Sequence, residues 1–349
     1  MNALYSEFIM STDKVTFLLN WHATPYHAPI FLAHHKGFFQ EEGIKVAILE
    51  PNDPSDVTEI IGSGKVDMGA KAMIHTIAGS ARGFPIESIG TLMDEPFTGV
   101  VYLESSGIKD FQSLRGKRIG YVGEFGKIQI DELAAHFGML PSDYTAVRVG
   151  MNVADAIKRG DIDAGIGLEN VQMVELEEWC KETGRSPSEV KMLRIDELAE
   201  LGCCCFCSIL YIANKPFLEA HPDKVRAFMR AVKRATDYLC SHPVEAWNEY
   251  KLYKKTMNTP LNEKIFERSF VYMSRDCANV PRDWTKVTNY CKRLGIVDHD
   301  FKPNMSNSYL SWNLLPDVED PAAKQITVAQ YQQNITKNGG VLTGKVSVV

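Results

Sequence analysis

The chain is 349 residues long, 45% apolar and 23% charged, which supplies a full hydrophobic core and excludes a disordered chain. Lysine and arginine number 38 against 44 aspartates and glutamates, a net charge of −6, so a nucleic-acid partner or an anionic membrane surface is disfavoured. The longest nearly apolar run, Cys203 to Ala213, is shorter than a membrane span.

The start, MNALYSEFIMSTDK, has no basic opening and carries Glu7 inside its apolar patch, unlike a secretory leader. Val15–Leu19 reads as a first strand, Pro29–Phe39 as a helix, and Lys45–Glu50 as a second strand. A helix opens at Pro54, with acidic residues in its first turn. Val66–Gly69 reads as a short strand, Lys71–Arg82 as a helix, and Ile86–Leu92 and Gly99–Leu103 as strands. The alternation then restarts with strands over 117–122, 145–149 and 163–167 and helices over 126–137, 152–159 and 170–183. Cys205–Ala213 is a buried strand candidate, and from Lys215 to about 295 the period is helical. Four of the eight cysteines lie in Cys203–Cys207, poor spacing for a disulfide framework, so a reducing, cytoplasmic compartment is expected.

Strand–helix alternation argues an α/β fold with mostly parallel sheets. The restart near 103 and the return strand near 205–213 predict two lobes with two crossings of the chain. One lobe is residues 14–102 plus 208–295 and the other 103–207, flanked by extensions over 1–13 and 296–349. This is the layout of a two-lobed, Venus-flytrap binding protein, with its ligand expected in the cleft between lobes.

Several segments are candidates for chemistry. Gly62-Ser-Gly64-Lys65 imitates the tail of a phosphate-binding P-loop, but Val66 stands where a Ser or Thr is needed, so a helix C-cap is the better reading. Gly120-Tyr-Val-Gly123-Glu-Phe-Gly126-Lys127 follows a strand and opens a helix, which suits a backbone anion cradle and equally a plain strand–helix turn. Lys71 and His75, at i and i+4, share a face if helical. A lysine amine there can form a Schiff base with an aldehyde, yet the same spacing occurs on ordinary solvated helix faces. On a strand Cys203, Cys205 and Cys207 share one face and Cys204 the other, a set open to iron, zinc, redox chemistry or simple burial. Asn20 and Trp21 follow the first strand at its C-terminal end, where α/β sheets bind ligands, and an indole can stack on a flat heteroaromatic ring. His22 and His27 follow in the same segment, and His34 and His35 read as exposed helix residues.

The segments FLLNW, PYHAPIFLA, PNDPSDVTEIIGSGKVDMG, KAMIHT, GKRIGYVGEFGKIQIDEL and GCCCFC closely resemble the fungal thiamine pyrimidine synthases, from about Met10 to about Trp312. The resemblance implies the group II periplasmic-binding-protein fold in a homodimer. It implies synthesis of 4-amino-5-hydroxymethyl-2-methylpyrimidine phosphate from pyridoxal 5'-phosphate, held as a Schiff base on Lys71, with His75 donating ring atoms and each chain turning over once. Iron and oxygen are implied requirements. The phosphate is implied to lie on Gly123, Glu124, Phe125 and Gly126, and the Cys203, Cys204, Cys205 and Cys207 motif to serve iron. A cytosolic solute-binding protein without chemistry and a conventional, recycling pyridoxal-phosphate enzyme are the competing expectations.

Overall fold

The computed structural model describes residues 14–94, 96–195, 198, 207–314 and 328–344. In chain order the first elements are β1 (Lys14–Leu18), α1 (Ala28–His35), α2 (Phe38–Glu41), β2 (Lys45–Leu49), α3 (Val57–Gly62), β3 (Met68–Ala72), α4 (Met73–Ala81), β4 (Ile86–Met93) and β5 (Thr98–Leu103). Then come β6 (Arg118–Tyr121), α5 (Gly123–His136), β7 (Thr145–Arg148), α6 (Val153–Lys158), β8 (Ala164–Leu168), α7 (Val174–Glu182), β9 (Val190–Arg194) and β10 (Ile209–Asn214). The rest is helical: α8 (Lys215–Ala220), α9 (Pro222–Ser241), α10 (Pro243–Tyr253), α11 (Pro260–Ser269), α12 (Pro281–Arg293) and α13 (Val328–Lys337). Each of α8 to α12 has a proline in its first turn, where the missing N–H costs no intrahelical bond.

The chain forms two compact units, Met1–Glu95 with Cys205–Val349 and Pro96–Cys204, each around one five-stranded sheet. The first sheet runs β2-β1-β3-β10-β4. There β1 is parallel to β2 and β3, and β10 is antiparallel to β3 and β4. The second sheet runs β7-β6-β8-β5-β9, with β6 parallel to β7 and β8, and β5 antiparallel to β8 and β9. The sheets are therefore mixed rather than mostly parallel: in each, the first strand after the chain crosses into the unit, β10 or β5, runs against its neighbours.

The first crossing falls before β5, not near 103, because Thr98–Leu103 pairs along its whole length with β8 and β9. Sequence alone places this strand with β4, since both are largely apolar runs close together in the chain; the tertiary pairing decides otherwise. Residues 296–314 are not a free-standing extension either. The Ser88 N–H donates to the Asn304 carbonyl at 2.9 Å, and Asn304 Nδ2 donates to the carbonyls of Thr76 and Ile86 at 3.2 and 3.1 Å.

Aromatic packing closes the first core. Phe228 of α9 stacks on Phe17 and Phe39, with ring centres 5.0 and 5.3 Å apart, and meets Tyr211 of β10 edge-on. In the second unit Val101, Val153, Ile157, Leu176 and Cys180 pack between β5, α6 and α7.

Candidate functional site

Lys71 sits at the next-to-last position of β3, not in a helix, and is only 3% exposed. Its strand is held from both sides, Leu18 pairing with Gly69 and Leu210 standing opposite Lys71 itself. The predicted shared helical face is thus replaced by a strand-to-helix corner. Lys71 lies one residue before the strand's end and His75 in the first turn of α4, whose N-cap, Ala72, is extended. Lys71 Nζ donates a hydrogen bond to the carbonyl of Pro54, in the turn ahead of α3. Burial pushes the amine down to about 8, while the carboxylates of Asp53 and Asp56 pull the other way. His75 is half-buried with its Nδ1 withdrawn from solvent. Burial first, then the positive charges of Lys71 and Arg82, hold it well below the ordinary imidazole range, so it is neutral at pH 7. The corner therefore supplies an amine that gives up its proton near neutrality and an uncharged imidazole four residues on.

Asn20 and Trp21 follow β1, as expected. A network that the sequence reading missed holds Asn20. His27 is fully buried, and the Thr24 backbone N–H donates to its Nδ1 at 3.1 Å. That bond makes Nδ1 an acceptor, so Nε2 carries the proton and donates to Asn20 Oδ1 at 2.8 Å. Asn20 Nδ2 in turn donates to the Tyr26 hydroxyl at 3.1 Å. Burial pushes His27 down to about 3, which keeps this donor neutral. A visible signal existed: Thr24-x-x-His27 has capping-box spacing, with His in the place of Glu or Gln. Trp21 is half-buried, its ring 5.9 Å from that of His22.

The 123–126 turn opens α5 in the second unit. Gly123 takes φ +69°, a left-handed value that glycine adopts without strain, and the N-cap Val122 offers no side-chain cap to the first-turn N–H groups. Those N–H groups and the helix dipole suit an anion. Two of the four residues also have structural duties. Phe125 is buried, and a Cβ on Gly126 would lie 3.0 Å from that of Tyr121. Glu124 is exposed, and Lys127, expected near the anion, instead pairs with Asp131 at 2.5 Å. Gly64, the glycine of the rejected P-loop, has φ +72° just past the end of α3, as a C-cap requires.

Of the cysteine motif, Cys203, Cys204 and Cys205 lie outside the described residues. Cys207 is half-buried, and the next residue, Ser208, accepts the Met73 N–H at 3.0 Å, which sets Cys207 at the strand end beside the start of α4. Among the described residues no group of three or more His, Cys, Asp and Glu side chains is arranged to hold a metal ion.

Comparison with known proteins agrees with this organisation. The family described as NMT1/THI5 like matches residues 24–246. The chain belongs to that family. The 4-amino-5-hydroxymethyl-2-methylpyrimidine phosphate synthase of Aspergillus parasiticus is 68% identical over 332 residues, covering 95% of this chain and 97% of that one. The protein of the same name in Schizosaccharomyces pombe is 59% identical over 335 residues, covering 96% and 97%. Among solved structures, the aliphatic sulphonate binding protein of Escherichia coli superposes with a TM-score of 0.61 at 14% identity, covering 82% of this chain and 94% of that one. A Candida albicans protein with the generic periplasmic binding protein fold gives 0.62 at 16% identity, covering 87% and 98%. The fold is therefore two-lobed and of the periplasmic-binding-protein type, and the relatives that share its sequence are named as enzymes.

Proposed function

We propose that the protein makes 4-amino-5-hydroxymethyl-2-methylpyrimidine phosphate from pyridoxal 5'-phosphate, taken as a substrate, and from the ring of its own His75, once per chain, with iron and oxygen required. The observation that carries this reading is the corner at Lys71 and His75, in a chain whose curated relatives bear the name of that product.

An amine must lose its proton before it adds to an aldehyde, and burial brings that loss at Lys71 close to neutrality. A nitrogen donor needs a lone pair, which imidazole has and imidazolium lacks; the burial and positive neighbours of His75 keep it in the competent form. Asn20, oriented by His27, and Trp21 are assigned to the substrate ring, and the N–H groups of Gly123, Glu124, Phe125 and Gly126 to its phosphate. Iron is assigned to the Cys203, Cys204, Cys205 and Cys207 motif on the resemblance alone. A homodimer in the cytoplasm completes the proposal.

A second reading, solute binding without chemistry, draws on the binding-protein neighbours. Fold alone does not separate the two, because function lives in the site. Incubation with pyridoxal phosphate, iron and oxygen separates them by product per chain and intact-protein mass. The proposal expects about one product molecule per chain, ¹⁵N passing from labelled histidine into the pyrimidine, and a damaged residue at position 75. No product favours the binder. Repeated turnover, or unlabelled product from labelled protein, overturns the sacrificial histidine.

A further inference from the structure

We propose that the turn Asp53–Asp56 is a clasp that sets both the position and the protonation of Lys71. The inference rests on the reading of Lys71 as the amine that captures an aldehyde. It adds residues that the reading leaves without a part.

The turn is a single 3₁₀ segment, Pro54–Asp56, capped by Asp53, whose side chain accepts the Ser55 N–H at 2.8 Å. Proline at the first position leaves no N–H to satisfy there and fixes φ, so the Pro54 carbonyl is presented from a stiff support. That carbonyl accepts from Lys71 Nζ, and Pro54 is buried with it. A carbonyl accepts more strongly from an ammonium than from a neutral amine, so this bond places the nitrogen and also favours its protonated form.

The residues flanking Pro54 add to that hold on the proton. Asp53 and Asp56 are exposed, yet both act on the buried nitrogen as opposite charges. From α4 the titratable neighbour is the neutral His75, and from β10 the residue paired opposite is the apolar Leu210. The two carboxylates thus retain the proton against a desolvation that would otherwise discharge the amine in the resting protein. Capture of an aldehyde releases one water as the imine forms, after the ammonium has passed its proton to solvent. With the carboxylates outside and the amine inside, the clasp decides at what pH that happens.

The test reads Lys71 itself and needs no turnover. Formaldehyde with cyanoborohydride methylates only free amines, so the fraction of Lys71 labelled against pH, from peptide mass spectrometry, reports its protonation. Asp53→Asn keeps the cap, since asparagine caps as well as aspartate, and removes one charge. Asp56→Asn removes the other. Each variant is expected to shift the labelling midpoint down by about half a pH unit or more, giving about threefold more free amine at neutral pH. Asp56→Glu should restore the wild-type midpoint. Because the carboxylates are exposed, salt at about 1 M should move the wild-type midpoint the same way. Midpoints that stay put in both asparagine variants, with unchanged melting temperatures, overturn the clasp. Borohydride trapping of pyridoxal phosphate on the wild type is read separately. Trapping at another lysine, with the formaldehyde midpoints shifted as expected, would reject Lys71 as the capturing residue and leave the clasp standing.

Discussion

At the level of single residues, the corner between β3 and α4 brings together the two groups of the proposed chemistry, and their roles are separable by experiment. Lys71→Ala should abolish the imine absorbance that the proposed reading expects when pyridoxal phosphate is added to the wild type. An undiminished band would move capture to another lysine. On the proposed reading, in which its ring atoms leave in the product and have no substitute, His75→Asn should keep the fold and the imine yet yield no pyrimidine. A general base in that place would leave residual activity, reduced by about 10²–10⁴-fold and recoverable with added imidazole. KAMIHT drew attention to Lys71 and His75, but their geometry was not legible there. Lys, Ala and Met are good helix formers, so local propensity extends the helix back to residue 71. Pairing to β1 and β10, which no local signal contains, claims residues 68–72 for the sheet. His27 was passed over for a related reason: its importance lies in a tautomer fixed by a backbone N–H and read out on Asn20, seven residues away.

At the level of elements, two contacts make testable claims. Gly126 has a structural reason to be glycine, the close approach of Tyr121, beside the proposed one, the anion at the start of α5. Gly126→Val should therefore lower the melting temperature whichever is true. The discriminating quantity is the ratio of pyridoxal phosphate to pyridoxal affinity, measured on folded protein. A phosphate cradle predicts a fall of about tenfold or more, the loss of one charge-assisted hydrogen bond; a ratio that does not move makes the turn purely structural. Asn304 ties the segment after α12 to the carbonyls of Thr76 in α4 and Ile86 in β4, and is buried. Asn304→Ala leaves those carbonyls short of a donor and should cost about 1–3 kcal/mol in urea unfolding. A cost near zero would mean that the segment does not hold α4 in place. Neither contact could be read from sequence. Residues 296–314 have weak periodicity, and a single buried asparagine carries no signature of its partners. The strand β9 was missed as well. VKMLR places Val190 in the core and leaves the other four residues half-buried at the sheet edge, so the period-2 alternation is too faint to register.

At the level of the whole molecule, the same scaffold serves binding proteins at 14–16% identity and named synthases at 59–68%, so chemistry must come from a few buried groups rather than from architecture. Burying such groups affects stability, and the sign follows from linkage. His27 titrates near 3 in the folded chain against 6.5 as its ordinary value, so between those limits the unfolded chain binds more protons. Stability is then full above about pH 6.5 and falls as pH drops toward 3, with a slope from this one residue of up to about 1.4 kcal/mol per pH unit. His75, also held well below its ordinary range, acts in the same direction and in the same unit. Urea unfolding at pH 7 and pH 5, followed by hydrogen exchange of amides in β1, β3 and α4, should show the first unit losing about 1–3 kcal/mol over that interval. His27→Gln removes the titration. It should flatten the dependence by up to about 2 kcal/mol over the interval, whatever its effect on stability at pH 7. An equal slope in wild type and variant would mean that acid loosens the first unit through other groups, and that the buried imidazole holding Asn20 is not where protonation acts.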